Sequence, residues 1–387
     1  MAYRNIKKLM QDCASPSTYN FELECDYEDY KALPLFERYL VYKSTALGDH
    51  ILKEVEKSGL DERWAEGCYH EAANFCVDSY RKYDLPDCDG WDGRCRLAID
   101  LYQQLWGWKE GDSSLYRAVE PIGVLGGDTF NSVQTTLNRY IHNIVENDSE
   151  YKQHIMPGGN ASIRFCIQLY CLYGKGFIEQ LVKNEELSRF VNLTHSMGNL
   201  VLIPGGYNRS RGMAKEIRDY ADLSLFNLLH DCDGKAKYFG EDSKEREKRF
   251  NRYINFSFLW DYVEKSAEGI YEVRPLCDSH RLKMQTWDSL GIWDDKNVLP
   301  KKEELEDLCR NINRGIARRG VFMTAMLEIS MKFPDVYALL TQKVFLTERV
   351  YDGYGEVIAA VKEQIRTCSA DISRAAAIVD KLEDAWR

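Results

Sequence analysis

Apolar residues recur three and four positions apart through most of this chain, the spacing of helices with one buried face. Leu35 to Val55 and Glu62 to Tyr83 follow it, the second with Asp61 placed as an N-cap. Arg94 to Trp108 reads as a helix closing at Gly107 or Gly111. Glu120 to Thr129 reads as a glycine-rich turn entering a helix that runs to about Val145, with Asp128 or Thr129 as its cap. Gly158 to Leu193 is mostly helical in pattern. Ala214 to Cys232 and Ser243 to Ser266 read as helices separated by a glycine-rich loop. Lys301 to Arg319 is amphipathic, with Leu305, Leu308, Ile312 and Ile316 on one face. Val321 to Lys332, Val336 to Phe345 and Ile358 to Leu382 continue as helix. Strand patterning is confined to Asn199 to Ile203 and a short run from Tyr271 to Leu276. The expected architecture is a predominantly helical α+β fold, with helices packed around one small sheet near residues 195 to 210.

With 387 residues the chain is long enough for a substantial core. Its one candidate linker, Gly291 to Pro300, is as short as an ordinary loop. One integrated domain over residues 1–387 is therefore expected, with helical subdomains at 1–118 and 300–387 as the alternative. Hydrophobic residues at 44% and charged residues at 29% fit a globular chain and exclude a disordered one. No apolar run is long enough to span a bilayer, and the first eleven residues are too polar for a signal peptide. The twelve cysteines form no Cys-x-x-Cys pair. Free thiols in a reducing cytoplasm, with neither structural disulfide nor zinc, are the expectation.

A formal charge of −10 argues against a dedicated nucleic-acid scaffold, which carries a basic face. Local basic groups remain. Arg209 and Arg211 after the central strand, Lys244 to Arg252, and Arg314 with Arg318 and Arg319 each read as a solvated helix face.

The densest chemistry surrounds the central strand. Thr194-His195-Ser196-Met197-Gly198-Asn199 leads into Leu200-Val201-Leu202-Ile203, and Pro204-Gly205-Gly206-Tyr207-Asn208-Arg209-Ser210-Arg211 leads out. Polar residues massed at both ends of a buried strand suggest a site, although Asn and Gly are also ordinary turn residues.

The pattern His-x-x-Gly-Asn-Leu-x-Leu-x-Pro-x-x-x-Asn resembles the second half of the HNH-like domain at the C-terminal end of GmrSD-type restriction enzymes. Gln153-His154-Ile155-Met156-Pro157 stands upstream, where that domain has an acid followed by His-Ile-x-Pro. The resemblance implies that His154 is the general base, Asn199 the orienting amide and Asn208 the last member, with His195 beside them. It also implies a divalent cation, Mg²⁺ or Mn²⁺, held against a phosphate. Gln153 departs from the pattern, because an amide is a poor ligand for a hard cation. Asp128 is the carboxylate that would replace it, with Arg209 and Arg211 placed to meet the substrate. More broadly, Gly126 to Ser132, Thr194 to Asn199 and Ile312 to Gly320, in that order, are similar to a family of uncharacterised bacterial cytoplasmic proteins.

Asp87, Asp89 and Asp92 share a loop without the terminal Glu of a calcium site. Gly123 to Asp128 would cradle an anion if it preceded a helix N-terminus, but it lacks the Lys-Ser/Thr pair of a P-loop. Arg189 and His195 fit only the permissive spacing of HEPN-type ribonucleases. His50 reads as a surface residue, His70 and His142 as packing or surface residues, and His230 as a helix-terminal one.

Three functions follow as expectations. The first is an HNH-like, metal-dependent phosphodiesterase or nuclease, in phage defence, with nucleic acid or nucleotide as partner. The second is a non-catalytic binding or interaction protein that keeps the motif as scaffold. The third is a nucleotide-binding enzyme using the turn at Gly123 to Asp128.

Overall fold

A computed structural model describes the chain except residues 1–2, 4, 25–26, 59–68, 86–94, 109–125, 145–158, 205–206, 208–218, 231–237, 291–299, 368–371 and 386–387. The fold is α+β and predominantly helical. In chain order its elements begin with α1 (Ile6–Asp12), α2 (Leu35–Ser58), α3 (Tyr69–Lys82) and α4 (Arg96–Trp106). Then come β1 (Gly126–Thr129), α5 (Gln134–Ile144), α6 (Gly159–Val182), α7 (Glu185–Leu193) and β2 (Leu200–Ile203). These are followed by α8 (Ala221–His230), α9 (Ser243–Ser257), β3 (Val263–Lys265), β4 (Tyr271–Val273) and α10 (Asp278–Leu290). The C-terminal part holds α11 (Leu305–Lys332), α12 (Pro334–Leu340), α13 (Gly353–Thr367) and α14 (Ile372–Ala385).

Sequence-distant strands form the central ribbon. β1 pairs antiparallel with β2, Gly126 opposite Ile203 and Thr129 opposite Leu200. All four β2 residues are buried, so its run Leu-Val-Leu-Ile does not alternate with polar residues. β3 and β4 make a second two-stranded ribbon, Val263 opposite Val273. Buried apolar side chains form one cluster that extends from Ile6 to Leu382.

Several boundaries differ from the sequence expectation, each for a packing reason. Asp128 and Thr129 are not helix caps: they lie in β1, and α5 begins only at Gln134. The glycine pair is a strand because it pairs with Leu202 and Ile203 of β2, and Gly127 leaves the Tyr102 ring room to approach. A Cβ on Gly127 would sit 2.5 Å from that ring. The helix expected to reach Ser266 stops at Ser257, where Phe258 takes a left-handed conformation (φ 59°). That conformation costs a non-glycine residue about 1 kcal/mol or more. The Phe258 ring offsets it by packing against Trp260, Phe322 and Phe345 at centroid distances of 5.7, 5.2 and 4.9 Å. Conversely, the two helices expected on either side of Gly320 are one, α11. The single run from Ile358 to Leu382 is two helices, α13 and α14.

Arg319 is the largest departure. It is 1% exposed rather than part of a solvated face. A helix rotates 100° per residue, so neighbouring Arg318 and Arg319 meet different surroundings. The Arg318 side chain is 40% exposed and faces Asp261, while Arg319 enters the core.

Candidate functional site

The turn between α7 and β2 is built around Asn199. Its Nδ2 donates to the carbonyls of Asn131 (2.7 Å) and Thr194 (2.6 Å). Its Oδ1 accepts from the Asn131 backbone N–H (2.9 Å) and from Asn131 Nδ2 (3.3 Å). Both amide hydrogens and the oxygen are thus engaged inside the protein, which is most of what an asparagine side chain offers. Asn131 carries the network further. Its Nδ2 donates to the Tyr262 hydroxyl (3.1 Å) and its Oδ1 accepts from Ala221 N at the start of α8 (3.0 Å). Four segments that are remote in sequence meet at two asparagines.

Arg319 closes the same turn from the other side. Its Nε donates to the Ser257 carbonyl (2.8 Å), and one Nη donates to the carbonyls of Gly198 (2.8 Å) and Leu200 (2.7 Å). Burial pulls the pKa of this guanidinium down from its ordinary value. Gly198 permits the approach, since a Cβ there would overlap the Ile316 carbonyl of α11. The three segments Gly126 to Ser132, Thr194 to Asn199 and Ile312 to Gly320 therefore form one internal joint.

His195 points elsewhere. Its Nε2 lies 2.7 Å from Glu22 Oε2, with both side chains almost completely buried. Its ring meets the edge of Tyr42 (5.2 Å between centroids). The His195 carbonyl accepts from Phe21 N (2.9 Å), and Asn20 bridges to Ser196. This pair fastens the segment around residues 20–23 to the turn. Asp128 is 1% exposed, and its Oδ1 accepts from the adjacent Thr129 N–H (2.8 Å).

His154, Asn208, Arg209 and Arg211 lie outside the described residues, as do Gln153, Asp61 and the loop containing Asp87, Asp89 and Asp92. His195 and Asn199 are brought close along the chain, but each is engaged by different partners. Gly126 to Asp128 form strand ladder, so they do not lead directly into a helix N-terminus as an anion cradle requires. The Asn199 oxygen is occupied by N–H donors, and Asp128 Oδ1 is engaged by one. Among the described residues no group of three His, Cys, Asp or Glu side chains is placed to hold a metal ion.

A second ionisable cluster sits at the start of α10. His280 Nδ1 lies 2.9 Å from Asp222 Oδ2, and both side chains are fully buried. The same Oδ2 accepts from Leu276 N (2.8 Å), and the Tyr220 ring covers the imidazole (4.5 Å). Burial disfavours the imidazolium, but the Asp222 carboxylate outweighs it and pushes the His280 pKa up to about 10. The spacing Cys277-x-x-His280 was visible in the sequence. Asp222, 55 residues earlier (277 − 222), was not connected to it by any pattern.

An aromatic groove of about 410 Å³ opens between α4 and α12, lined by Trp106, Phe256, Phe258, Tyr337 and Phe345, with Gln342 beside them. Its wall includes a π-helical turn at Thr341–Phe345, a feature often found at functional sites. No helix among the described residues is long and apolar enough to cross a membrane.

Compared with known proteins, the chain matches no family model, no curated protein and no solved structure.

Proposed function

We propose that this is a cytoplasmic binding protein in which the HNH-like motif serves as internal scaffold. The observation that carries this reading is the Asn199 amide. An amide that orients a catalytic base must offer an atom to the site, and both Asn199 atoms are engaged by Asn131 and Thr194. The burial of His195 against Glu22 supports the same reading. Among the described residues, the aromatic groove beside α12 is the surface we assign to a ligand, because aromatic walls with a few amide groups favour a planar apolar group. The acidic charge of the chain disfavours nucleic acid as the partner.

The test is a cleavage assay of the purified chain on DNA and RNA with Mg²⁺ or Mn²⁺. The scaffold reading expects no metal-dependent cleavage, and expects Asn199→Ala to lower the melting temperature. Metal-dependent cleavage that His154→Ala abolishes without a change in melting temperature would establish the nuclease that the resemblance implies, and would end the scaffold reading.

A further inference from the structure

Arg314 and Arg318 stand one turn apart on the same face of α11. Asn311, on the turn before, donates through Nδ2 to the Leu276 carbonyl (2.9 Å), which lays the segment after β4 along that face. Arg274 is the residue that follows β4. Arg274 and Arg318 meet at Asp261. Arg318 Nη1 lies 3.5 Å from its Oδ1, and Arg274 Nη1 lies 3.5 Å from its carbonyl. Arg314 is exposed and forms no ion pair among the described residues, yet its charge acts on the same carboxylate. The acidic neighbours leave the arginines loosely held. Asp261 is mostly buried, and its Oδ2 has no hydrogen-bond partner. Glu264, half in solvent and opposite Glu272 in the ribbon, comes no nearer to Arg274 than 3.6 Å. Charge-assisted pairs close to about 2.7–2.9 Å when the fork of an arginine is filled, so most of these N–H donors are unspent.

We propose that Arg274, Arg314 and Arg318 form a binding site for the phosphate group of a phosphate monoester. Such a group carries about two negative charges at neutral pH and three strong acceptor oxygens. Planar guanidiniums pair with those oxygens two at a time. Two of the three come from one helix face and the third from the ribbon, so the donors approach from two sides. Asp261 positions Arg318 through its carboxylate and Arg274 through its carbonyl. A phosphodiester, with one charge and two unesterified oxygens, gives the same arginines less to hold. That preference suits a chain of net charge −10, which a nucleic-acid backbone does not favour. The site shares no residue with the aromatic groove, so it stands whether or not that groove takes a ligand.

The experiment titrates the full chain with methyl phosphate at constant ionic strength and follows the arginine Nε–H resonances by NMR. Saturable binding is expected, weakened about tenfold or more in Arg314→Gln. That side chain is exposed, so the variant should fold as the wild type does. Arg366→Gln removes an exposed arginine of α13 and is expected to bind as the wild type does. Dimethyl phosphate, the diester probe, is expected to bind at least about tenfold more weakly than methyl phosphate. Equal binding of the two probes would overturn the preference for a monoester. No saturable binding of methyl phosphate, or binding that Arg314→Gln leaves unchanged or that Arg366→Gln weakens equally, would overturn the site itself.

Discussion

Asn199 and Asn131 hold each other reciprocally: Asn199 Nδ2 donates to the Asn131 carbonyl at 2.7 Å, and the Asn131 backbone N–H donates to Asn199 Oδ1 at 2.9 Å. An asparagine used this way substitutes for a third strand. It satisfies backbone groups at the end of β1 that no ladder partner reaches. Asn199→Ala leaves the Asn131 N–H and the Asn131 and Thr194 carbonyls buried without these partners. The expected loss is about 2–4 kcal/mol in urea unfolding at unchanged m value. A loss below about 1 kcal/mol would show that the pair is dispensable.

Arg319→Lys tests whether shape or charge matters at the joint. A lysine keeps the charge but cannot reach the Ser257 carbonyl on one side and those of Gly198 and Leu200 on the other. It should destabilise by about 3 kcal/mol or more, as removal of a partner from a buried charged network does. Arg319→Met, which removes the charge altogether, should be no worse than Arg319→Lys. The two melting temperatures decide.

Gly198→Ala adds one methyl group against the Ile316 carbonyl. Backbone of a long buried helix cannot yield as a side-chain tip does, so overpacking should cost about 1–3 kcal/mol or more. The check is the denaturation midpoint beside that of Gly355→Ala, where a Cβ meets nothing within 4 Å.

The His280–Asp222 pair gives stability a defined pH dependence. A pKa raised in the folded state to about 10, from about 6.5 unfolded, means the folded chain binds the proton more tightly. Its contribution is complete below about pH 6.5 and is lost as pH rises through about 10. Histidine-resolved NMR should find the His280 ring still charged at pH 8. A titration midpoint below pH 7 would remove Asp222 as its stabilising partner.

Cys76 and Cys309 should resist alkylation in the native chain, since burial holds both thiols protonated. Both should react fully once denatured, when all twelve cysteines should titrate without reductant. Fewer than twelve would reveal a disulfide.

The sequence by itself determined the class of fold and the places of most helices, because a 3.6-residue apolar period is a local property that burial does not move. Leu305, Leu308, Ile312 and Ile316 face the core as that period requires, and β2 occupies the expected run before Pro204. The sequence also picked out the three segments that form the joint. What it did not determine was their role. Asn199 looks the same in a sequence whether its amide faces a substrate or the carbonyl of Asn131, 68 residues away. Arg319 looked like part of a solvated face because a charge is costly to bury, and only the convergence of Ser257, Gly198 and Leu200 carbonyls offsets that cost. Gly126-Gly127 looked like a turn, and only its pairing with Leu202 and Ile203, some 75 residues on, makes it a strand. Those partners come from remote parts of the chain, and hydrogen bonds and contacts between remote parts exist only once the tertiary structure has closed.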